Sequence, residues 1–380
     1  TFKEGGTNFT NSLLVGTDTT GTLSSADGNT GVGTGVLAAL TSGDDNVAVG
    51  LNALNDITTG DGNVAIGLET LAKATTADDL TAVGRCALEA NTSGTENTSV
   101  GAYAMRENTT GDKNTALGYA ALQVNLSADQ NTGVGYFALN ANTTGDCNTA
   151  VGKGSLDSNT TGTRNVAVGG EALGANTTAS FNNALGYKAL CSNTTGASNI
   201  AIGTCSMRIN TTGGSNVAVG DKALCANTTG AQITTVGANA LTANTEGHST
   251  VAVGYEALLA NTTAAYNVAV GHRSLKTNTT GASNVAIGRQ ALLDNTTGKC
   301  NIAIGASALA NNTTADNNTS IGTNSMEVNT TGADNTAVGF NSLDANTTGT
   351  DGSALGSSAL TANTTGNSNT AIGRLSLTAN

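Results

Sequence analysis

A glycine recurs at every seventeenth residue of this chain, from Gly16, Gly33 and Gly50 to Gly356 and Gly373, without an insertion or a deletion. A short period that never changes length requires each unit to stack on the previous one in the same geometry. The chain is therefore expected to fold as a solenoid or a fibre. No single motif constrains the fold as strongly as this period.

The repeat, counted from Ser12, reads Asn-(Thr/Val)-Ala-(Val/Ile)-Gly-x-x-(Ala/Ser)-Leu-x-x-Asn-Thr-Thr-Gly-x-x, and we number its positions 1 to 17. Position 4 is aliphatic in every copy, and position 9 is Leu almost throughout. All three methionines, Met105, Met207 and Met326, also stand at position 9. Met commonly replaces Leu in packed interiors because it conserves volume. Positions 4 and 9 are therefore predicted to be core positions.

Charged residues mark the positions that face water. From Asp18 onward every Asp, Glu, Lys and Arg lies at position 6, 7, 10, 11, 16 or 17, except Glu246 at position 14. Ionised side chains are rarely buried unpaired. Position 3 is persistently small, which leaves two interpretations open. Either something packs close to it, the opposite wall of the coil or a second chain, or position 2 faces water and position 3 shares the core.

The alternation of positions 2 to 4 is typical of a strand, and Asn, Thr, Gly and β-branched residues are poor helix formers. We predict an all-β chain, a parallel β-solenoid of about 22 coils with two or three short strands in each. Residues 1–11 form a non-repeat lead-in before a repeat domain at 12–380, in which 12–90 are atypical coils and 91–380 regular ones.

Position 12 explains that division of the repeat domain. It holds Leu23, Leu40, Ile57 and Ala74 in the first coils and Asn in every coil from Asn91 to Asn380. Stacked carboxamides can donate to one neighbour and accept from the other. The asparagines are therefore predicted to form a ladder, as are Asn at position 1 and the Thr pair at 13 and 14. The absence of proline fits a backbone whose NH groups serve such ladders.

Composition argues against several functional classes. The net charge of −12 disfavours nucleic-acid binding, and no apolar run is long enough to insert in a membrane. His248 and His272 lie apart from the six cysteines, which show no CxxC spacing, so neither a metal site nor a catalytic constellation is predicted. We expect no cofactor and no enzymatic activity. The cysteines are sporadic surface thiols or form disulfides between coils or chains, for which Cys191, Cys205 and Cys225 are the best candidates.

Aromatic residues supply the candidate binding surface. From Tyr103 onward they occupy outward positions, and Tyr119 and Tyr136 occupy the same position in adjacent coils, with Phe137 beside them. The candidate receptor or lateral-contact residues are Tyr119, Tyr136, Phe137 and Tyr187. One interpretation is a stacking ladder that stabilises neighbouring coils. The other is a platform for a glycan receptor or a lateral contact with a protein.

Many Asn-Thr-Thr triplets also match the acceptor pattern for N-glycosylation. They are candidate sites only if the chain is made through a eukaryotic secretory route, and otherwise they are a by-product of the ladder. The representative candidates are Asn108, Asn142, Asn159, Asn278 and Asn295.

The segments Asn-Val-Ala-Ile-Gly at 284–288 and Asn-Ile-Ala-Ile-Gly at 301–305, with the Ala-Leu that follows each, resemble the head repeats of YadA-type trimeric autotransporter adhesins. They are still more similar to the Asn-Thr-Ala-Val-Gly-Tyr-x-Ala-Leu repeats of phage tail-fibre and virion structural proteins. This resemblance implies a left-handed β-roll and three chains side by side in an extracellular fibre. The repeat here is longer than the usual adhesin repeat, and the extra length lies in Asn-Thr-Thr-Gly.

The predicted function is that of a structural and adhesive fibre protein in a phage or virus appendage. It is expected to be a homotrimer outside a cell or on a virion, with a host-surface glycan or protein as receptor. A cell-surface adhesin or self-assembling extracellular filament is the alternative. The Thr-Thr columns at positions 13 and 14 add an ice-binding solenoid as a third class.

Overall fold

The computed structural model describes residues 2–16 and 20–379, so Asp18 and Asn380 of the sequence argument lie outside the described residues. This described part contains strands and turns and no helix. The chain divides into two compact units, Thr1–Lys188 and Ala189–Asn380. We call them unit 1 and unit 2 and describe each by itself.

Unit 1 contains thirteen strands, and most have three residues. They are β1 (Phe2–Gly6), β2 (Phe9–Val15), β3 (Ala26–Asp27), β4 (Thr30–Val32), β5 (Val47–Val49), β6 (Val64–Ile66), β7 (Thr81–Val83), β8 (Thr98–Val100), β9 (Thr115–Leu117), β10 (Thr132–Val134), β11 (Thr149–Val151), β12 (Val166–Val168) and β13 (Asn183–Leu185).

Unit 2 contains eleven strands of three residues. They are β14 (Ile200–Ile202), β15 (Val217–Val219), β16 (Thr234–Val236), β17 (Val251–Val253), β18 (Val268–Val270), β19 (Val285–Ile287), β20 (Ile302–Ile304), β21 (Thr319–Ile321), β22 (Thr336–Val338), β23 (Ser353–Leu355) and β24 (Thr370–Ile372).

Each unit is a parallel β-solenoid, which confirms the predicted fold class. In unit 1 every strand from β4 to β13 pairs in parallel with the next, so that Ala150 lies opposite Ala167 one repeat later. In unit 2 the same register runs from β14 to β24. The lead-in differs, because β1 pairs antiparallel with β2, which then pairs in parallel with β3 and β4.

Each regular coil has one strand, at positions 2 to 4, and not the two or three that the sequence predicted. The remaining residues form turns because positions 7, 9 and 17 adopt left-handed backbone angles, as in Phe137 (φ 56°), Leu139 (φ 52°) and Cys147 (φ 60°). Such angles interrupt a strand. Hydrogen bonds between coils nevertheless continue through the turns, for example from Leu122 N to Ala138 O at 2.9 Å.

The invariant glycine at position 5 is required by both backbone angle and space. Gly135 has φ 136°, a region that L side chains rarely adopt, and a Cβ there would stand 2.6 Å from the carbonyl oxygen of Gly152 in the next coil. The equivalent glycines of neighbouring coils share this arrangement. The glycine therefore recurs every seventeen residues because the backbones of neighbouring coils approach closely at this position.

The core confirms position 9 and shows that the prediction for position 4 is wrong. Leu122 and the other position 9 side chains from Leu37 to Leu360 are fully buried, whereas position 3 points inward and positions 2 and 4 point outward. The interior is narrow: a Cβ added at Gly133, in position 3, would lie 3.2 Å from Cγ of Leu122. Little space is left beside the Leu column, and position 3 from Gly31 onward holds only Gly, Ala, Ser or Thr. Position 3 is thus small because it shares the core.

The predicted asparagine ladder is confirmed in both units. Each position 12 amide donates to the side-chain oxygen of the preceding coil, as from Asn142 Nδ2 to Asn125 Oδ1 at 3.0 Å. The series runs from Asn91 to Asn176 in unit 1 and from Asn193 to Asn363 in unit 2. These amides are buried, and each also reaches a backbone carbonyl near the next corner.

The other predicted ladders take different forms. At position 1, Asn29 Oδ1 accepts from both the backbone N and the Nδ2 of Asn46. At position 13 the threonine hydroxyls donate to backbone carbonyls of the next coil, as from Thr228 Oγ1 to Thr245 O at 3.0 Å. The position 14 threonines, such as Thr280, are exposed instead.

Candidate interaction surface

The outward side chains of the strands form an apolar surface on each unit, which we call the sheet face. It consists of the columns at positions 2 and 4. On unit 1 Leu117 is 49% exposed and Leu185 is 51% exposed, and on unit 2 Ile202 and Ile287 are each 39% exposed. Position 4 is aliphatic in every coil, while position 2 alternates among Val, Ile and Thr with a few other residues.

An open face of this kind is unusual for a parallel sheet. Parallel sheets are ordinarily covered on both faces, because the surrounding elements bury them. Here one side of the sheet covers the thin core, and the other presents β-branched side chains at the coil spacing of about 4.8 Å. Contiguous exposed apolar patches of this extent usually mark interaction sites. The sheet face is therefore the leading candidate for a functional surface.

One border of the sheet face carries position 16, and in unit 1 seven of the ten residues at this position are aspartate. We call it the acidic rim: Asp27, Asp44, Asp61, Asp78, Asp112, Asp129 and Asp146. Several of these carboxylates accept a backbone NH from the preceding coil, such as Asp44 Oδ1 from Asp27 N at 2.8 Å and Asp146 Oδ1 from Asp129 N at 2.9 Å. These bonds hold the side chains in a regular row beside the strands.

The opposite border carries position 6 and the aromatic cluster. The rings of Tyr119 and Tyr136 are stacked with centroids 5.5 Å apart and 14° between their planes. Phe137 contacts both edgewise, at 5.7 Å and 4.4 Å. Tyr103 joins at 5.8 Å from Tyr119, and the guanidinium carbon of Arg85 lies 4.5 Å from the Tyr103 centroid. The structure thus brings three of the four predicted residues together.

Tyr187, the fourth candidate, lies apart from this cluster, and its ring is 5.2 Å from the Lys188 ammonium group. In the cluster, Tyr119 and Tyr136 each cover part of one face of the other ring, and both remain about half exposed. Offset stacking of this kind is a favourable geometry for aromatic pairs and fits a ladder between neighbouring coils. The exposed parts of both rings are also accessible to a binding partner.

The cysteines do not assemble into one site. All six are free thiols in this structure, which contains none of the suggested disulfides between coils. In unit 2, Cys191 donates to the Arg208 carbonyl at 3.5 Å, and the nearby Cys225 sulfur is the main cause that raises the pKa of the Arg208 guanidinium. These thiols are partly exposed.

Within the part of the chain that the structure describes, one group of side chains has the composition of a cation site. Ligand atoms of Glu69, Cys86 and Glu89 lie within 4.8 Å of one another. The Cys86 thiol donates to Glu69 Oε2 at 3.7 Å. Burial raises the pKa of Cys86 to about 11, and the carboxylates of Glu89 and Glu69 add to the shift, so the sulfur is a protonated thiol at neutral pH. The sequence alone did not indicate this group, because Glu69 comes next to Cys86 and Glu89 only when adjacent coils stack.

The Asn-Thr-Thr asparagines lie inside the ladder. Asn108, Asn142, Asn159, Asn278 and Asn295 are all fully buried, and each Nδ2 donates to another amide and to a backbone carbonyl. A glycan attached to this nitrogen would replace one of those bonds and would need space that the stacked coils do not leave. The triplets therefore serve the fold in this structure.

The two histidines contact aromatic rings. His272 stacks on Tyr255 at 5.5 Å, and His248 meets Tyr266 edgewise at 5.0 Å. In the described ranges, no helix could cross a membrane. Comparison with protein-family models and with curated proteins finds no match to this chain.

Proposed function

We propose that this chain is a structural and adhesive fibre protein whose sheet faces pack against other copies of itself. The observation that carries this proposal is the pair of exposed apolar columns at positions 2 and 4. A chain that functions alone would be expected to place charged or polar residues on an open sheet. Here position 4 remains aliphatic in every coil, although it does not contribute to the core of the coil.

The size of the sheet face agrees with a stable association. In unit 1 the ten strands β4–β13 each present two outward side chains. At roughly 60 Å² of accessible surface for each, they offer on the order of 1,200 Å², against about 800 Å² per partner in a standard interface. The sheet face of unit 1 is therefore large enough by itself to hold two copies together.

A second copy is the partner that fits this surface best, because it has the same spacing. Columns repeated at about 4.8 Å can interdigitate over many coils only with a surface of the same period. Another solenoid of this chain meets that condition throughout each unit. The resemblance of the repeats to trimeric adhesin heads and phage fibres supports three copies, and a location outside a cell or on a virion.

Adhesion would use the residues outside the sheet face. The charged and aromatic positions 7, 10 and 11 vary from coil to coil, while position 4 of the sheet face stays aliphatic. Variable positions on a regular scaffold are suited to a receptor, a host glycan or protein. A self-assembling filament or cell-surface adhesin would use the same faces, and the genomic neighbours of the coding sequence would separate it from a phage or virus appendage.

Ice binding is the other function that a flat face of constant period supports. The surface expected to bind ice is then the sheet face and not the Thr columns at positions 13 and 14. The position 13 hydroxyls are already bonded to backbone carbonyls, as from Thr228 to Thr245, and the sheet face is more regular. Thermal hysteresis by a monomeric protein would favour it over self-association.

Light scattering on the purified chain tests the proposal. We expect the wild-type protein to have a mass of at least twice the 37.2 kDa of one chain. The mass should shift towards that of the monomer when Leu117 and Leu185 are both replaced by Asp. Thr110→Asp with Thr144→Asp, at the exposed position 14, is the matched control and should leave the mass unchanged. A monodisperse 37.2 kDa wild-type species would overturn the proposal.

A further inference from the structure

We propose that, in the self-association described above, the acidic rim of unit 1 contacts the opposite rim of the neighbouring copy at the same coil level, with both chains running in the same direction. This inference rests on the proposed function and adds which residues meet and how the copies are oriented. We call the position 6 column of unit 1 the donor rim.

The two rims of unit 1 differ in chemistry. The acidic rim has seven aspartates and no basic residue at position 16. The donor rim has no acidic residue among its described members, which are Thr34, Leu51, Leu68, Arg85, Ala102, Tyr119, Tyr136, Lys153, Gly170 and Tyr187. Within this column the cations and the tyrosine hydroxyls can donate to a carboxylate.

The two rims also match coil by coil. Asp78 precedes β7 and Arg85 follows it, and Asp146 and Lys153 flank β11 in the same way. Thus both cations of the donor rim have an aspartate at the opposite border of the same strand. Threonine at position 16 goes with a residue that cannot donate from its side chain, Thr95 with Ala102 and Thr163 with Gly170, whereas Ser180 stands on the level of Tyr187 and does not follow this rule.

Tyr119 and Tyr136 of the aromatic cluster follow the same rule. Asp112 and Tyr119 flank β9, and Asp129 and Tyr136 flank β10. A tyrosine hydroxyl can donate a hydrogen bond to a carboxylate. Asp27, Asp44 and Asp61 have no donor of this strength on the same level, where the donor rim holds Thr34, Leu51 and Leu68. The matched contact therefore extends from β7 to β11.

These matches cannot be contacts within one chain. The two rims of a coil lie on either side of its strand, seven residues apart in the sequence. Among the described residues, neither Arg85 nor Lys153 has a carboxylate within ion-pair distance. Arg85, Lys153, Asp78 and Asp146 are all exposed. Their charges are thus available to a second copy.

The symmetry of the assembly determines which rims meet, and so relates the match between the rims to the relative direction of the chains. Rotation about an axis parallel to the stacking direction places the acidic rim of one copy against the donor rim of the next and keeps the coil level unchanged. A rotation that reverses one chain places acidic rim against acidic rim, which like charges disfavour. The pattern therefore selects chains that run in the same direction, for any number of copies around the axis.

Charge reversal tests this arrangement in sedimentation experiments at low salt. The variant carrying Arg85→Asp and Lys153→Asp should dissociate about tenfold more readily than wild type, because acidic side chains then meet acidic side chains. Adding Asp78→Arg and Asp146→Lys to the same chain should restore association, since each swapped rim meets its swapped partner. Raising the salt to about 0.5 M should reduce the difference, because exposed charges are screened. Lys73→Asp, at position 11, is the control.

The outcomes separate the two proposals. A monomeric wild-type protein would contradict the proposed self-association itself. The rim contact alone would be overturned by either of two results. One is association that does not weaken when the charges of the donor rim are reversed, and the other is a variant with all four substitutions that does not regain association. The conservative pair Arg85→Gln and Lys153→Gln, with circular dichroism of every variant, covers the case in which a reversed charge disturbs folding. These neutral variants should associate with an intermediate dissociation constant.

Discussion

At the scale of single residues, this fold depends on a few positions at which only one kind of side chain is compatible with the coil. Glycine at position 5 has a backbone angle and a neighbour that exclude a Cβ, and leucine at position 9 fills the narrow interior. Position 9 leucines also hold left-handed backbone angles, as Leu122 does at φ 52°. Burial of the side chain offsets a conformation that a free leucine would disfavour.

Replacing Gly135 by Ala should lower the free energy of unfolding by about 3 kcal/mol, because the methyl group would meet the Gly152 carbonyl and φ would be strained. Gly174→Ala is the matched control, since its added Cβ would have ordinary contacts at 3.5 Å and its backbone angle is not left-handed. Denaturant unfolding followed by circular dichroism would measure both. Equal midpoints for the two variants would contradict this account.

Leu122→Asp should unfold the coils around β9, because burying a carboxylate without a partner costs several kcal/mol. Leu126→Asp provides the comparison in the same coil, because this leucine at position 13 is on the surface. Hydrogen exchange of the Ala116 and Gly133 amides would report the difference. The core assignment fails if Leu122→Asp is tolerated as well as Leu126→Asp.

Cys86 should react with an alkylating reagent at pH 8 far more slowly than Cys147 and Cys300, which are exposed. Its pKa of about 11 means that little thiolate is present at this pH, and burial limits access. Labelling followed by peptide mass spectrometry would rank the six cysteines. Glu69→Gln together with Glu89→Gln should increase the rate at Cys86, because two causes of the raised pKa are removed.

At the scale of the element, each coil contributes one short strand, and the ladders join the coils along the stack. Three hydrogen-bonded columns at positions 1, 12 and 13 accompany the backbone pairing. A buried amide that loses its partner costs about 1–3 kcal/mol, so each ladder is stabilising only when it is continuous. The first coils avoid this requirement by placing Leu40, Ile57 and Ala74 at position 12, where they are buried.

Asn278→Ala should reduce stability by about 2 kcal/mol, because it removes the donor to Asn261 and the acceptor for Asn295 inside a buried column. Thr280→Ala, at the exposed position 14 of the same coil, should change stability by less than about 0.5 kcal/mol. Thermal melting of the two variants at equal concentration gives the comparison. Similar small effects at both sites would mean that the ladder contributes little.

Much of this architecture could be predicted from the sequence, and each of the two failures has its own physical cause. The period, the parallel register, the Leu column and the Asn ladder follow from residues that recur at a fixed spacing through most of the coils. The outward orientation of the position 4 side chains could not be predicted in this way, because an aliphatic residue such as Val100 or Leu117 suits a core as well as an interface between chains. Hydrophobicity reports that a side chain will be covered and does not report by which chain. The strand count failed because turns at Phe137 and Leu139 use left-handed angles that ordinary residues seldom adopt.

At the scale of the whole molecule, charge is distributed unevenly along the chain. Residues 1–188 contain eight basic and eighteen acidic residues, a net −10, whereas residues 189–380 contain seven and nine, a net −2. In unit 1 the acidic rim repeats a carboxylate at the coil spacing in successive coils, as at Asp44, Asp61 and Asp78. Self-repulsion of this kind destabilises a compact state, and salt screens it.

Raising the salt from about 20 to 500 mM should therefore protect unit 1 against hydrogen exchange more than unit 2. Native-state exchange resolved by mass spectrometry can follow both units in one sample, so unit 2 is the internal control. Asp44→Asn with Asp61→Asn should remove part of the salt response and leave one acceptor oxygen for the backbone NH groups. An equal salt response in the two units would contradict the electrostatic account.

Because every coil is joined to the next in the same way, the number of coils can change during evolution. Because the residue at position 17 always leads to position 1 in the same geometry, loss or duplication of one coding repeat keeps the reading frame and rejoins every column. Recombination between similar repeats could thus lengthen or shorten either stack by single coils, without a new core or a new surface having to evolve. Length becomes a trait that selection can adjust separately from the fold, and closely related strains would be expected to differ by whole multiples of the repeat.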